Sequence, residues 1–201
     1  VTTRLLDSSR GRQYLSATLG QAFYFEDPRV TLPDEPVRDR STSDVVTEVE
    51  LNAFKNWNAR FAYQWNPDET QGERSETFLQ YNPTPGRVIN AGYRFRRDLL
   101  EQVDVSGAWP INNQWRGFAR FVYSLQEENT LDQFLGLEYS SCCWAVRVIG
   151  RRFISSRSGA AETSIGLQLE LKGLSSVGTD SEAFLRDAIR GYSALPPDPR
   201  P

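Results

Sequence analysis

The stretch WNARFAYQW, Trp57 to Trp65, sets Trp57, Ala59, Phe61, Tyr63 and Trp65 on one side of an extended chain and Asn58, Arg60 and Gln64 on the other. Successive side chains of a strand point to opposite faces, so this period of two makes a strand with one apolar and one polar face. The pattern continues outward in both directions. Upstream, Leu15, Ala17, Leu19, Phe23 and Phe25 oppose Tyr14, Ser16, Thr18, Gly20 and Tyr24, and Val45, Val49, Leu51 and Ala53 oppose Glu48, Glu50 and Asn52.

Downstream, Ile89, Ala91, Tyr93 and Phe95 alternate with Asn90, Gly92, Arg94 and Arg96, and Val103, Val105 and Trp109 with Gln102, Asp104 and Ser106. Trp115, Ala119, Phe121 and Tyr123 follow, then Leu135, Leu137 and Tyr139, then Trp144, Val146 and Val148, then Ile165, Leu167, Leu169 and Leu171. The alternation predicts roughly eleven strands of about 9 to 12 residues, the length that crosses a bilayer at the usual barrel tilt. Strands of soluble sandwiches average nearer five or six residues.

Connectors give a second signal. Tight links are expected at Lys55-Asn56, at NPTPG (Asn82 to Gly86), at PINNQ (Pro110 to Gln114) and at Ser140-Ser141. Longer polar ones are expected at Asp27 to Asp44, Pro67 to Glu76, Ser124 to Asp132 and Ser155 to Thr163, with the short Arg96 to Gln102 link as an exception. Short turns on one side and long loops on the other mark the periplasmic and extracellular ends of an outer-membrane barrel. The fold class expected is all-β: part of an antiparallel transmembrane barrel over residues 1–173. Beyond Gly173 the strand code stops. Residues 174–201 read as a turn, a helix capped by Asp180 or Ser181 with a stripe of Ala183, Phe184, Leu185, Ala188 and Ile189, and a Pro-rich tail on the short-turn, periplasmic side.

Composition narrows the chemistry. The 201 residues include no His, no Met and two Cys, with 23 Lys and Arg against 26 Asp and Glu. Zinc, haem and iron–sulfur ligands are nearly absent, and so is the commonest general base, so no metal, no cofactor and no enzyme activity are expected. A net charge of −3 does not suit a nucleic-acid coat. No apolar run approaches the roughly 18 to 20 residues of a spanning helix. Aromatic residues at 12% suit a sheet with one apolar face. Val1 falls inside an apparent strand and no signal peptide precedes it, so a piece of a longer protein is expected.

Glu48, Glu50, Arg60, Arg94, Arg96, Arg116 and Arg147 share the polar face. Each isolated charge costs several kcal/mol in a dry core, so these residues are expected to line a hydrated lumen or a soluble plug. The competing reading is a soluble sheet with a solvated polar face. A glycosidase role for Glu48 and Glu50, or a nucleophile among Ser140, Ser141 and Cys142, lacks supporting partners.

Cys142 and Cys143 are adjacent, and a vicinal disulfide closes a strained ring. On a strand they would point to opposite faces, each toward a different partner. In an oxidising periplasm both would bond to cysteines elsewhere, whereas in a reducing cytosol two buried free thiols would be expected.

LGLEYSSCCWAVRVIGRRF (Leu135 to Phe153) and TSIGLQLELKGLSSVGTDSEAFLRDAIRGY (Thr163 to Tyr192) resemble the C-terminal end of the LptD family, the lipopolysaccharide assembly proteins of the Gram-negative outer membrane. LGQAFYFED and INAGYRFRRD fit the same barrel more loosely, so the resemblance covers nearly the whole chain. It implies the last strands of a very large barrel, without the N-terminal periplasmic domain that meets the periplasmic lipopolysaccharide bridge protein. It also implies disulfides from Cys142 and Cys143 to cysteines near the N-terminus of the family's chain, and the plug lipoprotein LptE in the lumen. Lipopolysaccharide would reach the outer leaflet through a lateral gate between first and last strands. Ser164, Ile165, Gly166, Leu167, Gln168, Leu169, Glu170 and Leu171 would be the last strand of that gate. A passive porin or outer-membrane receptor is the alternative from another class, and a soluble β-sheet lectin or hydrolase a third.

Overall fold

The computed structural model describes residues 1–8, 11–25, 41–155 and 159–193. Twelve strands are hydrogen-bonded in chain order into one antiparallel sheet. They are β1 (Thr2–Leu6), β2 (Gln13–Gly20), β3 (Val45–Leu51), β4 (Trp57–Asn66), β5 (Gln71–Thr84), β6 (Arg87–Arg96), β7 (Leu100–Pro110), β8 (Trp115–Ser124), β9 (Asn129–Ser140), β10 (Trp144–Ile154), β11 (Ala161–Leu171) and β12 (Ser175–Gly178). One helix follows, α1 (Ser181–Ala188). Among the described residues no helix is long and apolar enough to cross a membrane. The all-β expectation holds, and the meander is a partial barrel wall.

Register carries each face through the sheet. Val49, Phe61, Thr77, Tyr93, Val103 and Tyr123 are successive cross-strand partners from β3 to β8. Gly107, Ala119, Leu135, Gly150 and Ile165 continue the same face from β7 to β11. On the other face Glu50, Arg60, Phe78, Gly92, Asp104, Val122 and Asp132 form one such row. A one-residue slip would exchange the faces, which ties the register to the alternation in the sequence.

The apolar face is open: Leu135 and Ile165 are 68% and 79% exposed. The core lies on the charged face instead. There Val88, Ala108, Phe118, Phe134 and Ile149 pack under Leu185, Ile189 and Tyr192, flanked by Phe184 and Ala188. Asp180 caps α1 by accepting from the Ala183 amide at 3.1 Å, as expected, whereas Ala183 itself is exposed.

Several expectations are corrected. Strand pairing does not stop at Gly173, because Ser175–Gly178 pairs with Gln168–Leu171 and makes β12 the last strand. Its short, Ser-rich sequence carries no alternation to read. Among the described residues no strand pairs with the outer edge of β11 from Ala161 to Leu167, although the Thr179 amide caps the Leu167 carbonyl at 2.9 Å. The long connectors also shrink: 67–70 joins β4 to β5 and 125–128 joins β8 to β9, with Thr70 and Glu128 at positive φ closing the turns. Gln71–Glu76 is strand despite being polar on both faces, because the Tyr63 ring lies over Gly72 and supplies the apolar cover itself. The strand from Tyr14 ends at Gly20, with Phe23 bridging to Thr42. Most of the 27–44 connector, residues 156–158 of the 155–163 connector and the tail after Ser193 lie outside the described residues.

Candidate functional site

All seven charged residues expected on one face share it, but their surroundings differ. Arg60 pairs with Glu48 at 2.9 Å, both side chains close to half exposed. Glu50 accepts from Asn52 and Asn58 at 3.2 and 3.3 Å. Arg94 and Arg96 are exposed and reach no carboxylate among the described residues. Arg116 and Arg147, by contrast, are 2% and 5% exposed.

Arg147 sits at the centre of a buried cluster. It bonds Glu138 on β9, donates to Gln168 at 3.1 Å and pairs with Glu170 at 2.9 Å on β11. Two same-face steps along the strands runs a second network. Arg120 grips Asp104 with two bonds, 3.2 and 2.7 Å, and Arg151 grips Asp132 with two, 2.9 and 3.0 Å. Arg120 and Asp132 approach to 3.9 Å, linking the pairs across β7 to β10. Bidentate arginine–carboxylate bonds fix geometry as well as charge, so this part of the face is cross-braced.

Arg116 fastens the segment that follows α1 to the sheet. Its Nη2 donates to the carbonyls of Gly86 and Ser193 at 2.9 and 2.8 Å, and its guanidinium lies 4.8 Å from the Tyr192 ring. Gly86 also donates from its amide to Ser193 Oγ at 3.0 Å. Gln80 and Asn90 both donate to the Arg190 carbonyl, at 3.1 and 2.9 Å. Gly191 at φ +79 brings that carbonyl against Gln80. Burial pushes the Tyr192 phenol above its ordinary pKa, against the opposing positive charges of Arg116 and Arg147, so it stays neutral.

The cysteines are not on a strand. Both lie in the turn between β9 and β10, exposed, with their sulfurs 2.8 Å apart, so they do not point to opposite faces. Lys172, in the neighbouring turn, donates from Nζ to Ser140 Oγ at 2.8 Å and to the Ser141 carbonyl, bracing the turn. The Cys143 thiol, acting as donor, together with the Ser141 hydroxyl and the Lys172 charge, holds Cys142 below the usual thiol pKa. Cys143 is correspondingly pushed up. Among the described residues no His, Cys, Asp and Glu group could hold a metal ion.

A family model described as LPS transport system D, LptD, matches residues 1–115. The chain belongs to the LptD family. It is 38% identical over 192 residues to the LPS-assembly protein LptD of Nitrosococcus oceani, covering 96% of this chain and 26% of that protein. It is 40% identical over 192 residues to the LptD of Nitrosomonas eutropha, with the same coverage, and 36% identical over 195 residues to that of Aromatoleum aromaticum, covering 97% of this chain and 25% of the relative. The chain thus spans about a quarter of the length of the curated relatives it matches.

Within this LptD-family chain, the alternating strands marked which residues share a face but not which of them pair. Asp104, Arg120, Asp132, Arg151, Glu138, Tyr192 and Ser193 were not singled out as site residues. The alternating base and acid across β8 to β10 was the one available signal, since Arg116, Glu138 and Arg147 are direct register partners, with Gln168 next on β11. The expected gate residues are divided by the fold: Ser164 to Leu167 lie on a bare edge, and Gln168 to Leu171 are paired on both sides.

Proposed function

We propose that this chain forms part of the wall of an outer-membrane barrel that assembles lipopolysaccharide into the outer leaflet. One observation carries this reading: twelve strands in chain order present an open apolar face on one side and a cross-braced charged face on the other. Family membership supplies the substrate. The apolar face meets lipid. The charged face is the lumen wall, along which sugars and phosphates of lipopolysaccharide stay hydrated while acyl chains leave through a seam. Ser164 to Leu167 would form one lip of that seam, and LptE would occupy lumen beside Glu48, Glu50, Arg60, Arg94 and Arg96, the part of the face not fastened to the segment after α1 by Arg116. No catalytic step is invoked.

We infer the orientation from the connectors, the long 21–44 link joining β2 to β3 at the end opposite the Gly86 turn. The 141–143 turn, the Gly86 turn and Ser193 lie at one end of the meander, which we assign to the periplasm together with the C-terminal tail. Cys142 and Cys143 would there be joined to cysteines of the periplasmic domain, which would in turn engage the lipopolysaccharide bridge protein. Their exposure on a braced turn supports this assignment. The test is reducing against non-reducing electrophoresis with peptide mapping on the full-length protein, comparing wild type with Cys142→Ser, Cys143→Ser and the double variant. Long-range links from each cysteine, with lipopolysaccharide assembly lost only in the double variant, are expected. Free thiols throughout with assembly intact would overturn the tethered arrangement.

A further inference from the structure

The apolar face carries a polar row on β9 to β11. Phe121, Gln133, Arg152 and Thr163 are successive register partners from β8 to β11. The row lies at the end of the strands remote from the cysteine turn, yet not beyond the apolar band, because Tyr123 on β8 stands one step farther out on the same face. Arg152 is exposed, and no ion pair joins it to a carboxylate among the described residues. Its same-face neighbours one step away, Gly150, Ile154, Leu135 and Ile165, include no acid. At the margin of a lipid-facing band a guanidinium sits at little cost and at headgroup depth, where an anion can meet it.

The surroundings say what kind of anion. Gln133 and Thr163 flank Arg152 directly and bring further hydrogen-bond donors, with no side-chain hydrogen bond to another described residue. Toward the middle of the band the row gives way to Leu135, Val148 and Ile165, exposed by 68%, 44% and 79%. Donors above and bare apolar surface below match an amphiphile, not a free ion. We propose that Gln133, Arg152 and Thr163 bind the phosphate headgroup of a membrane lipid whose acyl chains lie on Leu135, Val148 and Ile165. The proposal rests on the barrel-wall reading. With the cysteine turn at the periplasmic end, the site belongs to the outer leaflet, on the strands next to the bare edge of β11.

The test is lipid retention by the full-length protein, read by native mass spectrometry after exchange from mixed micelles. The probes are dioleoyl phosphatidic acid and dioleoylglycerol, which differ in the phosphate. Wild type should retain phosphatidic acid in preference, and Arg152→Gln should retain at least about tenfold less, the loss of a charge-assisted contact. Arg152→Lys should keep most of it. Arg74→Gln, which removes the same charge from the opposite face, should match wild type, and inorganic phosphate should not compete. Heat-modifiable electrophoretic mobility checks that each variant is folded. Equal retention by wild type and Arg152→Gln would overturn the site, as would displacement by inorganic phosphate, which would mark a free-anion site. Wild type retaining neither lipid while keeping heat-modifiable mobility would likewise overturn the site, whereas a wild type without heat-modifiable mobility would overturn the barrel-wall reading beneath it.

Discussion

Arg116 on β8 and Ser193 beyond α1 are 77 positions apart and joined by a hydrogen bond of 2.8 Å from guanidinium to backbone carbonyl. The same nitrogen holds the Gly86 carbonyl at the β5–β6 turn. One side chain therefore closes the segment after α1 onto the strand that carries Arg116 and onto the turn two strands away. Arg116→Leu would leave both carbonyls without their donor, at about 1–3 kcal/mol for each that stays buried. The expected outcome is release of α1 with the strands intact. Amide exchange at Leu185 and Ile189 should accelerate about tenfold or more while β8 and β9 stay protected. Unchanged exchange would show that the fastening is redundant.

Leu185 and Ile189 are fully buried between α1 and the strands. Leu185→Ala should cost about 2–5 kcal/mol of docking free energy, the range for large-to-small changes in packed cores. Asp180→Ala, which removes only the N-cap bond, should cost about 1 kcal/mol. Limited proteolysis after Gly173 in the folded barrel reads both: rapid cleavage in the first variant and slight acceleration in the second. Equal resistance in the two would mean that α1 contributes no separable docking energy.

The faces were legible in the sequence because Trp57 to Trp65 and its counterparts alternate over whole strands, and period two leaves no other regular structure. The contents of the charged face were not. Arg116 looks from its neighbours like any lumen arginine, and its partners lie across long stretches of chain. The helix stripe at Phe184, Leu185, Ala188 and Ile189 was readable, but its seat was hidden, since Val88, Phe118, Phe134 and Ile149 occupy positions that a strict alternation assigns to polar residues. β12 went unread for the opposite reason: Ser175 and Ser176 hold their place through backbone bonds alone. Cys142 and Cys143 were assigned to a strand because the turn was read at Ser140-Ser141 alone, and nothing local marks its extension over the cysteines.

Glu138 and Arg147 are nearly inaccessible, with side chains 6% and 7% exposed. Removing one charge of such a pair strands the other, typically at about 3–5 kcal/mol. Arg147→Met should therefore lower the urea midpoint of the detergent-solubilised full-length barrel, with Gln168 and Glu170 also losing their donor. Arg147→Met combined with Glu138→Leu should recover much of the loss, since no orphaned Glu138 carboxylate remains. A double variant as unstable as the single one would show that the pair itself, not the orphaned charge, supplies the stability.

Gly178 pairs with Gln168 at φ +110, and a Cβ there would stand 2.1 Å from the Leu167 carbonyl oxygen. No side chain can yield to relieve a clash with backbone, so Gly178→Ala should displace β12 from β11. Amide exchange should then rise in β12, and a thiol-reactive probe on a cysteine placed at Val177 should gain access. Both should leave β9 to β10 pairing unchanged. Retained protection across Ser175–Gly178 would mean that α1, not the strand pairing, holds this segment.

The cysteine turn has a pH signature of its own. Cys142 is held low chiefly by the thiol of Cys143 and then by the Ser141 hydroxyl, with Lys172 adding a favourable charge, while Cys143 is raised. The thiolate is the reactive form. A lowered pKa therefore keeps Cys142 ionised to lower pH, and the two cysteines of the reduced protein should alkylate in sequence, Cys142 first as pH rises. Cys143→Ala removes the largest of these influences and should move the Cys142 profile to higher pH. Lys172→Gln should move it in the same direction by less, because charge at an exposed turn is screened. Mass-spectrometric mapping of iodoacetamide adducts across neutral to alkaline pH gives both profiles. Simultaneous alkylation of the two cysteines, unmoved by Cys143→Ala, would mean that the 2.8 Å contact between their sulfurs does not persist in the reduced protein.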